Sequence, residues 1–177
     1  ASPGARPCST PPSPAPATRK GPNRKPCPSR IRWASVYHAM AGEDFPSSAA
    51  RHLEDGIRLC EDGRFDNAQH LLGFAVECAL KTVVEKARLD PFHYKHNLRA
   101  LAGDALDLAI ALAPTLGRCR VPPSSVAVLG GWNESHRYRK TGTVKQHEAE
   151  KLAETARHIY CETIVPLVLD GYLDDLP

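Results

Sequence analysis

The chain has 177 residues, about the size of one domain, and no apolar run in it is long enough to span a membrane. Its formal net charge of +3 is unevenly distributed: residues 1–39 carry seven basic residues and no acidic one, whereas residues 40–177 carry 16 basic and 20 acidic residues. The basic balance therefore belongs to the first segment, and it does not by itself make the remainder a nucleic-acid-binding domain.

Residues 1–39 form the first predicted unit and hold nine of the sixteen prolines. Such a composition cannot bury enough apolar surface to offset its ordering entropy, so it predicts a disordered Pro/Arg-rich basic tail. The segment lacks the continuous apolar core of a secretory signal. Because Met40 is the only methionine, the segment is either an over-long gene start or a genuine basic tail, and both interpretations stay open.

The six cysteines form no Cys-x-x-Cys pair and no Cys/His cluster with the spacing of zinc ligands. We therefore expect reduced and mostly buried thiols, which favours a reducing, cytoplasmic location. The sequence shows no Walker loop, no dinucleotide fingerprint and no Ser/His/Asp arrangement. We accordingly expect no metal and no cofactor.

The first two predicted helices are consecutive. Ser47 or Ser48 is a plausible N-cap of the first helix, which Gly63 ends. The second, FDNAQHLLGFAVECALKTVVEKAR, begins near Asp66 as its cap and has the strongest i, i+3, i+4, i+7 apolar pattern in the chain. Gly73 lies inside this pattern and costs about 1 kcal/mol relative to alanine. We expect close packing of another helix to compensate.

Two further helices complete the domain predicted over residues 40–177. HNLRALAGDALDLAIALAP has one apolar stripe and ends at Pro114, SSVAVL adds a short turn, and the last helix runs from about Gln146 to Leu169. No segment has the alternating pattern of a strand. The sequence thus predicts an all-α, four- to five-helix up-and-down antiparallel bundle. The first helix pair is also similar to a tetratricopeptide hairpin, but no second copy follows at the period of that repeat.

A glutamate and a lysine interrupt the apolar second helix in the stretch AVECALK. Glu77 and Lys81 are four residues apart, so they share one helix face and can pair. A carboxylate on so apolar a helix is either paired or functional. The two interpretations are a structural ion pair at the edge of the core and a Glu77 that lines a polar, ligand-binding groove.

The stretch GGWNESHRYRKTG, residues 130–142, is the centre of a basic region. Residues 118–147 hold six basic residues and one acidic residue, a net charge of +5 against −9 for the rest of residues 40–177. Arginine forks suit phosphates, and an aromatic ring between them can stack on a base. The candidate nucleotide- or RNA-contacting residues are Asn133, Arg137, Tyr138, Arg139 and Lys140, together with Glu77. The alternative is a solvated loop with a structural tryptophan.

In order along the chain, NAQHLLGFAVECALK, HNLRAL, the Trp and Arg-Tyr of the basic region, and AEKLAETARHIY resemble the HEPN superfamily (higher eukaryotes and prokaryotes nucleotide-binding). The resemblance covers about residues 47–170. It implies a helical bundle that forms a homodimer. Many members are metal-independent endoribonucleases, often toxins paired with a nucleotidyltransferase antitoxin, whereas others bind nucleotides or RNA without cleaving them.

Catalytic members of the family carry an arginine, four to six intervening residues, and then a histidine near the start of the last main helix. Here Arg137 and Arg139 stand in the expected region, but His136 precedes them and His147 lies one position too far from Arg139. The resemblance thus implies either a displaced catalytic geometry with Arg137, Arg139, His136 and His147 or a domain that does not cleave RNA.

Three functions follow as expectations. The first is a domain that binds nucleotide or RNA, or that acts beside a nucleotidyltransferase partner. The second is a metal-independent endoribonuclease toxin, in which the arginines hold the phosphate and a histidine moves protons. The third is a non-catalytic helical protein-interaction module.

Overall fold

The computed structural model describes residues 43–129 and 131–177, and this part of the chain is helical and contains no strand. The predicted tail, Met40 and Gly130 lie outside the described residues. Six α-helices occur among them: α1 (Phe45–Glu61), α2 (Phe65–Lys86), α3 (Leu98–Ala100), α4 (Leu106–Leu112), α5 (Pro123–Leu129) and α6 (Gln146–Leu169). The all-α prediction is confirmed, and the last helix has the predicted bounds.

The core lies where α1, α2 and α6 pack against one another. Helix α2 is its centre, since thirteen of its residues are buried, including Leu72, Val76 and Leu80. Helix α6 contributes Ile159, Ile164 and Leu167, and it packs against both α1 and α2. Burial of these large aliphatic side chains supplies the main driving force for the fold.

Both predicted helix caps at the start of the domain are wrong. Helix α1 begins two residues earlier than Ser47, and Asp44 caps it by accepting a hydrogen bond from the Ser47 N–H at 3.0 Å. Helix α2 has Arg64 at its N-cap and no capping side chain. Asp66 is the second residue of the helix, and its carboxylate accepts hydrogen bonds from the backbone of residues 142–144. Gly63 does end the first helix, and its φ of +73° is a conformation that glycine adopts without strain.

The third predicted helix is interrupted. Its first turn, α3, passes into a π-helical turn at Leu101–Ala105 before α4 continues. Two 3₁₀ helices, Pro114–Cys119 and Glu134–Tyr138, were not predicted. The second of these lies within the basic stretch, so part of that stretch is helical rather than an open loop.

Among the described residues, no helix combines the length and the apolar composition that a membrane crossing requires. Four cysteines fall in this part of the chain and all four are free thiols. Cys78 and Cys119 are buried, and burial raises the pKa of these thiols to about 12 and about 11. Cys60 is half-buried and Cys161 is exposed, so the expectation of mostly buried thiols holds for only two of the four.

Candidate nucleic-acid interface

The basic segment, defined here as residues 131–145, is anchored on α2 by Trp132. The indole Nε1–H donates a hydrogen bond to the His70 carbonyl at 3.3 Å, and the indole ring meets the Phe74 ring edge-on at 5.3 Å between centroids. A β-carbon on Gly73 would lie 1.9 Å from Trp132 Nε1. Close packing at Gly73 was predicted, but the partner is this indole and not another helix.

The far end of the basic segment is anchored by Asp66. Its carboxylate accepts hydrogen bonds from the backbone N–H groups of Gly142, Thr143 and Val144 at 2.7, 3.1 and 3.1 Å. These bonds, the Gly142 bond above all, lower the pKa of Asp66 from its ordinary value. Trp132 and Asp66 thus fix the segment across the first two turns of α2.

Between these anchors, the charged side chains face solvent. Arg137, Arg139 and Lys140 are exposed and form no ion pair within residues 43–129 and 131–177. Tyr138 is 80% exposed, and the Arg137 guanidinium lies 5.1 Å from the centroid of its ring. Asn133 caps the 3₁₀ helix by accepting from the Ser135 N–H at 2.8 Å. Three cations and an aromatic ring are therefore presented on a fixed backbone.

In the structure, carboxylates neutralise two of the six cations of the basic region, residues 118–147. Arg118 pairs with Asp170 at 2.9 Å, and Arg120 pairs with Asp107 at 3.0 Å. Each pair neutralises one arginine with a carboxylate from the helical part of the domain. Of the six basic residues in this region, Arg137, Arg139, Lys140 and Lys145 remain without such a partner among the described residues.

Two imidazoles, those of His70 and His136, have a buried ring nitrogen and are influenced by the charges of the arginines. The Nδ1 atoms of His70 and His136 are buried, and neither has a hydrogen-bond partner among the described residues. Burial lowers the pKa of His70, with a further contribution from Arg137, and burial also lowers the pKa of His136, with a contribution from Arg139. Both rings are therefore biased towards the neutral form, in which a ring nitrogen can accept a proton.

His147 is placed differently from His136. It is the second residue of α6, it is exposed, and it makes no hydrogen bond, ion pair or ring contact with the described residues. The arginines thus lower the pKa of His70 and His136, whereas His147 stands apart from this group on α6.

Glu77 and Lys81 form the predicted pair, and it is buried. The carboxylate lies 2.8 Å from Lys81 Nζ, and the two side chains are 4% and 5% exposed. The ammonium lies 5.6 Å from the centroid of the Phe45 ring and 5.4 Å from that of the Phe92 ring. Glu77 also binds His96, whose Nδ1 lies 3.0 and 2.9 Å from its two oxygens. The carboxylate is thus a buried anchor rather than a surface ligand.

Two residues of this site, His70 and His96, were not predicted. His70, Phe74, Glu77 and Lys81 are spaced by four, three and four residues, so they form one stripe along α2. The Phe74 ring contacts the rings of His52, His70, His96 and Trp132, with centroids 4.8 to 5.9 Å apart. Three polar residues of this stripe, His70, Glu77 and Lys81, interrupt an otherwise apolar helix, and this is the sequence signal that could have identified the face of α2 that contacts the basic segment.

A cavity of about 620 Å³ adjoins the basic segment. Residues 93–100 form one wall, and Leu129 with residues 132–134 forms the other. Within the described residues, no group of three His, Cys, Asp or Glu side chains is placed to hold a metal ion.

No protein-family model, curated protein or solved structure matches this chain.

Proposed function

We propose that this chain is a HEPN-like helical domain that binds RNA or a nucleotide through the basic segment. One observation carries the proposal: Arg137, Arg139 and Lys140 stay exposed and unpaired within the described residues, although both ends of their segment are fixed on α2. A fixed backbone reduces the entropy lost when these side chains bind phosphates. Tyr138 adds a ring on which a base can stack.

The resemblance to HEPN proteins supplies the rest of the proposal. This part of the proposal is that the chain forms an up-and-down antiparallel bundle and a homodimer, is located in the cytoplasm and acts beside a nucleotidyltransferase partner. The support is the order of the helices and the position of the basic segment immediately before α6. Light scattering of the purified chain tests the dimer directly, since a mass equal to one chain over the working concentration range contradicts it.

Fluorescence anisotropy with a short labelled single-stranded RNA tests the binding. The double variant Arg137→Gln/Arg139→Gln removes two charges from the basic segment. The matched control, Arg118→Gln/Arg120→Gln, removes two charges that are already paired with Asp170 and Asp107. We expect roughly a tenfold or greater loss of affinity for the first variant only. Equal losses in both variants contradict the proposal.

A second candidate is a metal-independent ribonuclease, and the two unpartnered imidazoles favour it. His70 and His136 are biased towards their neutral forms beside Arg137 and Arg139. A neutral imidazole can take the proton of a 2′-hydroxyl while an arginine holds the phosphate. Incubation of RNA with the chain in EDTA tests this function. Cleavage that survives in both His70→Gln and His136→Gln, or no cleavage at high protein concentration, rejects it.

If neither RNA binding nor cleavage occurs, a non-catalytic helical protein-interaction module is the function that remains. The exposed leucines of α4, Leu108 and Leu112, are one turn apart and face solvent. Co-purification of a partner that a Leu108→Ser/Leu112→Ser variant no longer retains distinguishes this function from the first two.

A further inference from the structure

The cavity beside the basic segment has the size of a small-molecule site. Its volume of about 620 Å³ falls in the range of ligand pockets. Of the candidate nucleotide- or RNA-contacting residues, Asn133 is the only one that lines it. The buried residues Leu98, Leu129 and Trp132 also line the cavity.

His96 connects this cavity with the core. Its Nδ1 faces the Glu77 carboxylate, which can only accept, so Nδ1 carries the hydrogen of that bond. The opposite ring edge, with Nε2, points away from Glu77 and makes no hydrogen bond to the described residues. The His96 side chain is 45% exposed, against 4% for Glu77. A buried carboxylate therefore holds an accessible imidazole in one orientation, as an orienting carboxylate does in a catalytic triad.

Two cationic residues, Lys95 and Arg99, line the cavity together with His96. Lys95 has φ of +48°, a conformation that non-glycine residues rarely adopt and that commonly marks ligand-binding turns. Its N–H donates to the Phe92 carbonyl at 3.0 Å, which closes the turn. Arg99 lines the same wall, and Glu134 is the one carboxylate lining the cavity. The wall therefore presents two cations and two imidazoles, those of His93 and His96, against one carboxylate.

We propose that this cavity binds a terminal phosphate monoester, held by His96 Nε2, Lys95 and Arg99. Glu77 is the positioning residue that fixes the His96 ring. With a proton on Nε2, the His96 ring donates a charge-assisted hydrogen bond to a phosphate oxygen. The phosphate is that of a free mononucleotide or that of an RNA end; in the second case, the proposal rests on RNA binding by the adjoining basic segment.

Calorimetry of the full chain with AMP, and with adenosine as the unphosphorylated control, tests the site. We expect AMP to bind and adenosine to bind at least roughly tenfold more weakly. His96→Gln and Lys95→Asn, both at exposed positions, each weaken AMP binding by a similar factor. His158→Gln, at an exposed position of α6 that does not line the cavity, is the matched histidine control and leaves the affinity within about twofold. Glu134→Gln removes the opposing charge and tightens binding.

NMR of the imidazole nitrogens separates a ligand-binding His96 from a structural one. We expect AMP, but not adenosine, to shift the Nε2 signal of His96 in the wild type. In Glu77→Gln, the same spectra show whether His96 loses its single tautomer, which is the expected signature of lost positioning. An Nε2 signal that AMP leaves unchanged overturns the assignment of His96 as a phosphate ligand.

RNA ends distinguish this proposal from the proposed function. The probes are one RNA sequence with a 5′-phosphate, with a 3′-phosphate and with hydroxyl ends. Tighter binding of a phosphorylated form, lost in His96→Gln, supports both proposals. Equal binding of all three forms, with no binding of AMP, overturns the phosphate site and leaves RNA binding by the basic segment intact. Binding of AMP without binding of any RNA leaves the phosphate site and overturns RNA binding by the basic segment.

Discussion

Gly73 and Trp132 fit together so closely that a β-carbon on residue 73 would lie 1.9 Å from the indole Nε1. Trp132 is 8% exposed and donates its N–H to the carbonyl of His70. Because the basic segment begins at this indole, the absence of a side chain at Gly73 determines where that segment lies on α2.

We expect Gly73→Ala to displace Trp132 and to destabilise the fold. Overpacking costs about 1–3 kcal/mol, and the better helix propensity of alanine recovers only about 1 kcal/mol. Gly103→Ala is the control, since a β-carbon there meets nothing within 4 Å. Urea unfolding measures both variants. A Gly73→Ala variant as stable as wild type, with unchanged Trp132 fluorescence, contradicts the packing described above.

Asp66 anchors the other end of the segment, and its contribution depends on pH. The folded-state pKa of Asp66 is lowered from 3.8, so its stabilisation is present above the unfolded-state pKa and is lost as the pH falls through the folded-state pKa. We expect Asp66→Asn to lower the free energy of unfolding by roughly 1 kcal/mol near neutral pH, because the carboxylate is partly solvated.

The comparison for Asp66 is Asp104→Asn, which replaces an exposed carboxylate that has no hydrogen-bond or ion-pair partner within residues 43–129 and 131–177. Denaturant unfolding at neutral pH and below pH 3.8 measures both variants against wild type. The loss of unfolding free energy in Asp66→Asn is expected to be smaller at the lower pH. Asp104→Asn is expected to stay close to wild type at both pH values. A deficit of the same size at both pH values shows that the charge of Asp66 is not what anchors the segment.

The pKa values of His70 and His136 test the placement of the arginines. Both are lowered from 6.5, so the unfolded chain binds protons more readily than the fold does. Stability therefore rises with pH between the folded-state pKa values and 6.5. In an NMR titration, Arg137→Gln should raise the pKa of His70, and Arg139→Gln should raise that of His136. Neither value should return fully, because burial is the larger cause in both. A His70 pKa that is the same in wild type and in Arg137→Gln contradicts the proximity of the two side chains.

The buried Glu77–Lys81 pair predicts an asymmetric response to substitution. Glu77→Ala leaves a buried ammonium without its partner and should cost about 3–5 kcal/mol. Glu77→Met/Lys81→Met removes both charges and should cost much less. The exposed pair Glu54–Arg58 has the same spacing, with side chains 64% and 66% exposed, and Glu54→Ala should cost less than about 0.5 kcal/mol. Equal losses for the single and double variants contradict this account.

The helical elements were predictable because their signals are local. Apolar residues at helical spacing defined α2 and α6, and Gly63 marked the end of α1. The caps were not predictable in the same way. Asp66 lies at a position typical of a cap, but its carboxylate binds backbone that is 76 to 78 residues away in sequence. A tertiary contact of that range leaves no local signal.

The candidate site was predictable only in part. The exposed residues Arg137, Tyr138, Arg139 and Lys140 form a contiguous basic stretch that sequence alone identifies. His96 could not be assigned to the site, because its role depends on a bond to Glu77 across 19 residues. The stripe of His70, Phe74, Glu77 and Lys81 was visible as a pattern, but the cavity and the Phe74 ring contacts required the fold.

The central claim is that the exposed cations of the basic segment contact phosphates, and the salt dependence of RNA affinity tests it most directly. The full chain and its Arg137→Gln/Arg139→Gln/Lys140→Gln variant both contain residues 1–39, so any contribution of that segment to RNA binding is the same in the two proteins. Each phosphate contact with a single strand contributes about 0.7 to the slope of log affinity against log salt. The claim predicts a slope flatter by about 2 in the triple variant. An identical slope in the two proteins would show that the segment does not contact the phosphates.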